Sequence, residues 1–228
     1  MKKDEIIIKI IAIHIDLKKS FDSLLTICKD VVSFREQKLE YLNEKLDISP
    51  EDLLDDDKFT EFFKVNSDDL KSQGVYLFEF DYLFYNSIFI NLFSLFEIQF
   101  VKLGKICEEL SESGLKIKDI KGNSDIDTIR KYMNLVCELD SAKSTEKLWT
   151  DIEEFRNIRN AIVHNENRLN KTKTKNLNSI RGMSKLKQHK IEYFQDEVNF
   201  KINNVEFLKD FTVTCEEYLG ILIKEIFK

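Results

Sequence analysis

The chain has 228 residues, 43% of them hydrophobic and 33% charged, with a formal net charge of −6. That length and balance describe one globular domain able to bury a sizeable core; they exclude a disordered chain and a protein that binds nucleic acid over its whole surface. One proline and six glycines argue against a sandwich or barrel, which needs turn residues every few positions, and predict an all-α bundle of about five to six helices.

Residues 4–46 carry apolar side chains at helical intervals (Ile10, Ile13, Leu17, Phe21, Leu24, Leu25) and read as one long helix or two in series. Lys9 and His14 break the apolar run at its start and no small-residue cleavage site follows, so it does not read as a signal peptide. After Asp47, Ser49 is placed to cap a short helix with Pro50 at its first position. The acidic stretch from Asp55 to Asp69 then reads as a surface connection with room for one short helix.

Val75 to Leu110 is predicted as the second long helix, with Phe78, Tyr82, Phe89, Phe93, Phe96 and Phe100 in the core. Its most apolar run, Tyr82 to Phe96, is too short to span a bilayer and holds Asn86 and Asn91 between Asp81 and Glu97. The expectation is a buried central helix in a soluble, cytoplasmic protein with no membrane partner. Gly114 to Ser124 reads as a loop with a Gly122-Asn123 turn. A third helix is expected over Asp125 to Asp140. A fourth runs from Ser144 to about Asn165, with Ser144 as cap and Lys147 where a capping box has an acid.

Asn167 to Ile191 holds eight lysines and arginines and no acidic residue. The rest of the chain therefore carries about −14. Glu192 to Lys201 is rich in strand formers and suggests a short β-hairpin near residues 191–203. Asn204 to Phe227 closes the fold as an amphipathic helix. The whole is read as a single domain over residues 1–228, with a helical amino-terminal portion (1–70) and a core (75–228). Cys28, Cys107, Cys137 and Cys215 are far apart, as are His14, His164 and His189, so neither a zinc-binding spacing nor a cofactor motif is present and the cysteines are expected reduced.

The segment Phe155 to Arg168, FRNIRNAIVHNENR, is where the chemistry concentrates. Arg156-Asn157 and Arg159-Asn160 are followed by His164, which brings two guanidiniums, two carboxamides and an imidazole within nine residues. A guanidinium binds or neutralises phosphate, and a histidine can take and return a proton near neutrality. On a helical wheel Phe155, Ile158, Ile162 and Leu169 share the packing side. Arg156, Asn160 and His164 run down the opposite side, with Arg159 flanking them. Val163 lies on that polar face, which suits a surface covered by another chain. The ordinary reading is a solvated helix face. Two features argue against it. Asp151, Glu153 and Glu154 stop before Arg156, leaving the arginines without an acid at i+4 in the helix. The acid-free basic segment also starts directly after His164, where it can follow a phosphate backbone.

Arg159-Asn160-Ala161-Ile162-Val163-His164 resembles the R-x4-6-H signature, in its RNxxxH form, of the HEPN superfamily (higher eukaryotes and prokaryotes nucleotide-binding). The likeness covers residue 75 to the carboxyl terminus and rests on some fifteen residues around the motif. It implies a helical bundle and a metal-independent ribonuclease of the toxin–antitoxin or phage-defence kind, in which two domains pair so that both motifs line one cleft. Carried over, Arg159 and His164 form the catalytic pair, with Asn160 positioning phosphate or histidine. Arg156, Arg168, Lys171, Lys173 and Lys175 are candidate phosphate contacts. Some members add an acidic residue from an earlier helix; Glu97 is the candidate here, against its reading as a surface carboxylate. Glu166 stands where the adenylylated toxin branch has tyrosine, so that control is not expected. Asn165 replaces a frequent glycine.

The implied partners are RNA, a second copy of the chain through the motif helix, and an antitoxin or sensor protein. The implied reaction is attack of the ribose 2′-OH on the neighbouring phosphorus, giving 2′,3′-cyclic phosphate and 5′-OH ends. On one helix Arg159 and His164 point about 140° apart, which itself favours a two-fold pair. The rival readings are a HEPN-fold binding module without catalysis, and a helical interaction protein whose motif is accidental.

Overall fold

The computed structural model describes residues 3–46, 68–139, 143–169, 177–191, 193–194 and 198–227. Within them the chain forms α1 (Lys3–Leu46), α2 (Asp68–Leu110), α3 (Asp125–Leu135), α4 (Lys143–His164), α5 (Met183–Gln188) and α6 (Val205–Ile226). A two-residue antiparallel hairpin, β1 (Tyr193–Phe194) with β2 (Asn199–Phe200), precedes α6. The all-α bundle and the small hairpin read from the sequence are both present.

Several boundaries differ from those that periodicity suggests. α1 is a single helix, not two. α2 begins at Asp68, seven residues before the expected Val75, so Asp68-Asp69 belong to a helix and not to the connection. α3 stops at Leu135, where the expectation ran to Asp140; Glu138 then adopts a left-handed φ of 56°. Ser124, which reads as loop, caps α3 by accepting from the Asp127 N–H. α4 begins at Lys143, which puts Ser144 inside the first turn and not at the cap. The expected 114–124 loop contains a 3-10 turn, Ile117–Asp119. The Ser49-Pro50 helix start, the acids Asp55 to Asp57, and the side chains of Phe78 and Tyr82 lie outside the described residues.

α2 is the central element, touching α1, α3, α4 and α6, while α6 packs on α1 and α4. Its segment Leu83–Leu110 is long and apolar enough to cross a membrane by length and composition, and half of its most apolar stretch is buried inside the bundle. The core is aromatic: Phe211 of α6 lies 5.4 Å from Phe89 and 5.3 Å from both Phe93 and Phe155, centroid to centroid. Such edge and offset contacts each add about 0.5–1.5 kcal/mol beyond area burial.

α4 is fixed by one buried stripe, Trp149, Ile152, Phe155 and Ile158. Trp149 forms a cluster with Phe100 and Tyr218, and the Arg130 guanidinium lies over its ring, 4.9 Å away. This anchoring sets the rotation of α4 and hence which residues face outward. All described cysteines are free, and burial pushes the Cys107 thiol up to about 12.

Candidate functional site

Three groups converge on the outer side of α4. Arg159 donates through Nη1 to the side-chain oxygen of Asn160 at 3.1 Å, and its Nη2 lies 3.9 Å from Glu97 Oε2 on α2. The guanidinium is thus held between its own helix and the central one. Burial raises the Glu97 carboxyl above its ordinary value, with the charges of Arg159 and Arg156 pulling the other way and Asp125 adding to the rise. The Glu97 side chain keeps 35% of its exposure, so it is a partly desolvated acid facing two guanidiniums.

Arg156 differs from expectation. The sequence leaves it without an acid at i+4, but Glu153, one turn earlier, pairs with it at 2.7 Å. The spacing i, i+3 is equally within reach on a helix. Arg156 is only 16% exposed and is committed to this contact, which weakens its reading as a phosphate ligand. The Nε atoms of Arg156 and Arg159 are buried and have no hydrogen-bond partner among the described residues.

His164 is the last residue of α4 and is exposed, as is Val163 at 43%. The structure brings Arg159, Asn160 and Glu97 together. His164 is at the helix end, on another side of the wheel from Arg159. The turn that follows contains no glycine, yet Glu166 and Asn167 both take left-handed φ values, 51° and 63°. Asparagine tolerates that region better than most residues. The Ala161 carbonyl accepts from the N–H of both Asn165 and Asn167 at 3.0 Å, closing the helix end. Asn86, buried on α2, donates to the Asn167 side chain, while Arg168 bridges to Asn199 and Leu169 N–H donates to Val198.

Beyond the turn lies a cavity of about 370 Å³ lined by Asn157, Asn160, Asn165, Arg168, Ser179 and Arg181, with an apolar wall from Ala161, Leu169 and Ile180. Arg168 is exposed and 3.5 Å from Glu166. Gly182 lets the chain pack here. Its φ is 96°, and a Cβ would lie 2.9 Å from Ile158 Cγ1 and 3.3 Å from Leu169. The Gly182 N–H and the Ser184 hydroxyl donate to Glu154 of α4, which ties the start of α5 down. Lys171, Lys173 and Lys175 lie outside the described residues.

The basic segment is not uniformly a solvent-facing track. Lys185 is buried, with Nζ 3.0 Å from Asp210 and 3.5 Å from Asp151, above the Phe155 ring. His189 Nε2 shares Asp210 at 2.9 Å. Burial pushes the Asp210 carboxyl up, but hydrogen bonds from His189 and Lys185 together with their charges outweigh it and hold it below its ordinary value. Sequence reasoning did not separate Lys185 from the other lysines, because its partners lie on α4 and α6. It also missed Ser179 and Asn165 as lining residues, counted Asn157 only among the carboxamides of the motif helix, and counted Arg181 only as part of the basic segment. The isolated Arg181-Gly182 step was the available signal that the backbone approaches another element there.

No protein-family model, curated protein or solved structure gives a significant match to this chain.

Proposed function

We propose that this chain is a HEPN-type endoribonuclease that cleaves RNA without a metal, through a site completed by a second copy. The observation that carries the reading is the exposed end of α4. His164 and Val163 stand uncovered on the helix whose Arg159 is already oriented by Asn160 and Glu97. An accidental motif gives no reason for a guanidinium set against Asn160 and Glu97 on the same helix that ends in an uncovered valine and histidine.

In this reading the ribose 2′-OH attacks the adjacent phosphorus and the 5′-oxygen of the next nucleotide leaves. His164 takes the hydroxyl proton, and the leaving oxygen is protonated by the second histidine of the pair or by solvent. Such proton transfer contributes roughly 10²–10⁴-fold. Arg159 stabilises charge growing on the phosphoryl oxygens, and Glu97 holds its guanidinium in place. The divergence of Arg159 and His164 on one helix is met by a two-fold pair that brings both arginines and both histidines into one cleft. A bacterial defence or toxin role, with an antitoxin or sensor as restraint, belongs to the same proposal.

The test is incubation of a mixed RNA pool with purified protein in excess EDTA, followed by identification of the ends. Cyclic-phosphate and 5′-OH ends that vanish with His164→Ala support the nuclease. Binding of RNA by a folded protein with no cleavage under any condition favours the binding-module reading, to which the separation of His164 from Arg159 within one chain also lends weight.

A further inference from the structure

The cavity beside the motif carries a second inference, which rests on the reading of α4 as an RNA site. Two guanidiniums, Arg168 and Arg181, line it, and among the described residues no carboxylate does, in a chain whose net charge is −6. Glu166, 3.5 Å from Arg168, is itself 86% exposed and outside the lining, so the cavity keeps a positively charged wall suited to an anion. Its volume of about 370 Å³ lies at the small end of the roughly 300–1,000 Å³ span of small-molecule sites.

The carboxamides say more than charge. Asn157 donates its amide to the Glu153 carbonyl at 2.7 Å, which leaves its side-chain oxygen as an acceptor. Asn160 accepts from Arg159 through its oxygen, which leaves its amide as a donor. These two residues are i, i+3 on one helix and so are neighbours on its surface. An acceptor and a donor side by side match the edge of a nucleobase, and Ala161, Leu169 and Ile180 supply an apolar wall for its face. Unpaired bases of single-stranded RNA are recognised by such contacts.

We infer that this cavity binds one nucleotide of the RNA strand, its phosphate held by Arg168 and Arg181 and its base edge read by Asn157 and Asn160. Because Asn160 also holds Arg159, base recognition is joined through one side chain to the group proposed to act on the phosphate. Asn157 and Arg181 are thereby specificity and binding residues that the motif itself does not include.

The experiment uses the full chain and a 2′-O-methyl RNA trinucleotide, in which the proposed nucleophile is blocked. Titration calorimetry compares it with the four nucleoside monophosphates, the four nucleosides and inorganic phosphate. The trinucleotide should bind more tightly than phosphate or nucleosides. Arg181→Ala should weaken it about tenfold, the loss of one hydrogen bond to a charged group. Asn157→Ala should narrow the spread of affinities among trinucleotides differing in one base. Lys118→Ala, an exposed charge outside the cavity lining, should change neither. Binding of monophosphates but not of the trinucleotide would overturn the assignment to an RNA strand in favour of a free nucleotide. Affinity unchanged by Arg181→Ala would overturn the pocket altogether. Cleavage with unaltered KM and base preference in Arg181→Ala removes the pocket and leaves the nuclease. Arg181-dependent trinucleotide binding by a protein that never cleaves does the reverse.

Discussion

Asn86, buried in the middle of α2, donates through Nδ2 to the side-chain oxygen of Asn167 at 3.0 Å, so the central helix holds the left-handed turn that follows His164. The two residues are 81 positions apart in sequence. Asn167 also keeps its backbone in the ladder, since its carbonyl accepts from the Phe200 N–H at 3.1 Å. One contact therefore joins the core, the end of the motif helix and the hairpin.

Asn86→Ala removes that donor and leaves the Asn167 oxygen without its partner. The expected cost is roughly 1–3 kcal/mol, measured as a shift in urea midpoint with unchanged slope. RNA cleavage should fall more than stability alone explains, because His164 ends on the loosened turn. Full activity in a folded Asn86→Ala protein would show that the turn does not position the histidine.

Much of this arrangement was legible in the sequence. The buried stripe of α4 follows its 3.6-residue period, so Phe155 and Ile158 were placed inside and His164 and Val163 outside. What could not be read came from tertiary contacts between distant residues. Asn86 looks like a polar interruption in an apolar helix until Asn167 meets it. Lys185 looks like one of eight basic residues until Asp151 and Asp210 close around it. Arg156 lacks an acid at i+4 in the sequence, and it is Glu153, one turn earlier at i+3 spacing, that pairs with it. The early end of α3 likewise reflects a left-handed Glu138 that propensity does not announce.

Glu97 gives a prediction in pH. Its folded pKa is raised above the ordinary 4.5, with burial the leading cause. The folded state therefore holds that proton more tightly than the unfolded chain does. The resulting stability is present below pH 4.5 and is lost as pH rises through the folded value. Glu97→Gln should flatten this limb and leave neutral-pH stability equal or slightly higher, as thermal midpoints across pH 4 to 8 would show. Cleavage should drop at the same time, since Arg159 loses its carboxylate. Stability gained with activity lost marks a residue kept for function.

Lys185→Met tests the buried network. Lys185 is 5% exposed and faces two carboxylates, so its removal takes the cation from Asp151 and leaves Asp210 with His189 and Gln188 alone, at a cost of about 3 kcal/mol. Asp210 has a folded pKa below its ordinary 3.8, so its contribution is present above pH 3.8 and is lost as pH falls through the folded value. In the variant the acid limb of the stability profile should become shallower. An unchanged limb would mean that Lys185 does not hold Asp210 ionised.

Gly182→Ala should destabilise by roughly 1–3 kcal/mol, because alanine is strained at a φ of 96° and its methyl meets Ile158. Circular dichroism should retain the helical bundle, while binding of the 2′-O-methyl trinucleotide weakens as Arg181 and Ser179 shift. Wild-type stability in this variant would place the glycine outside any packing role.

The composite cleft is tested most directly by complementation. Arg159→Ala and His164→Ala proteins are unfolded together, refolded as an equimolar mixture and assayed on RNA in excess EDTA. Each variant alone should be inactive. Statistical pairing makes about half of the dimers mixed, and only a mixed dimer brings both an arginine and a histidine to the shared cleft, so the mixture should recover activity that neither variant has alone. A mixture as inactive as either variant, beside a wild type that cleaves, would contradict a site shared between two chains.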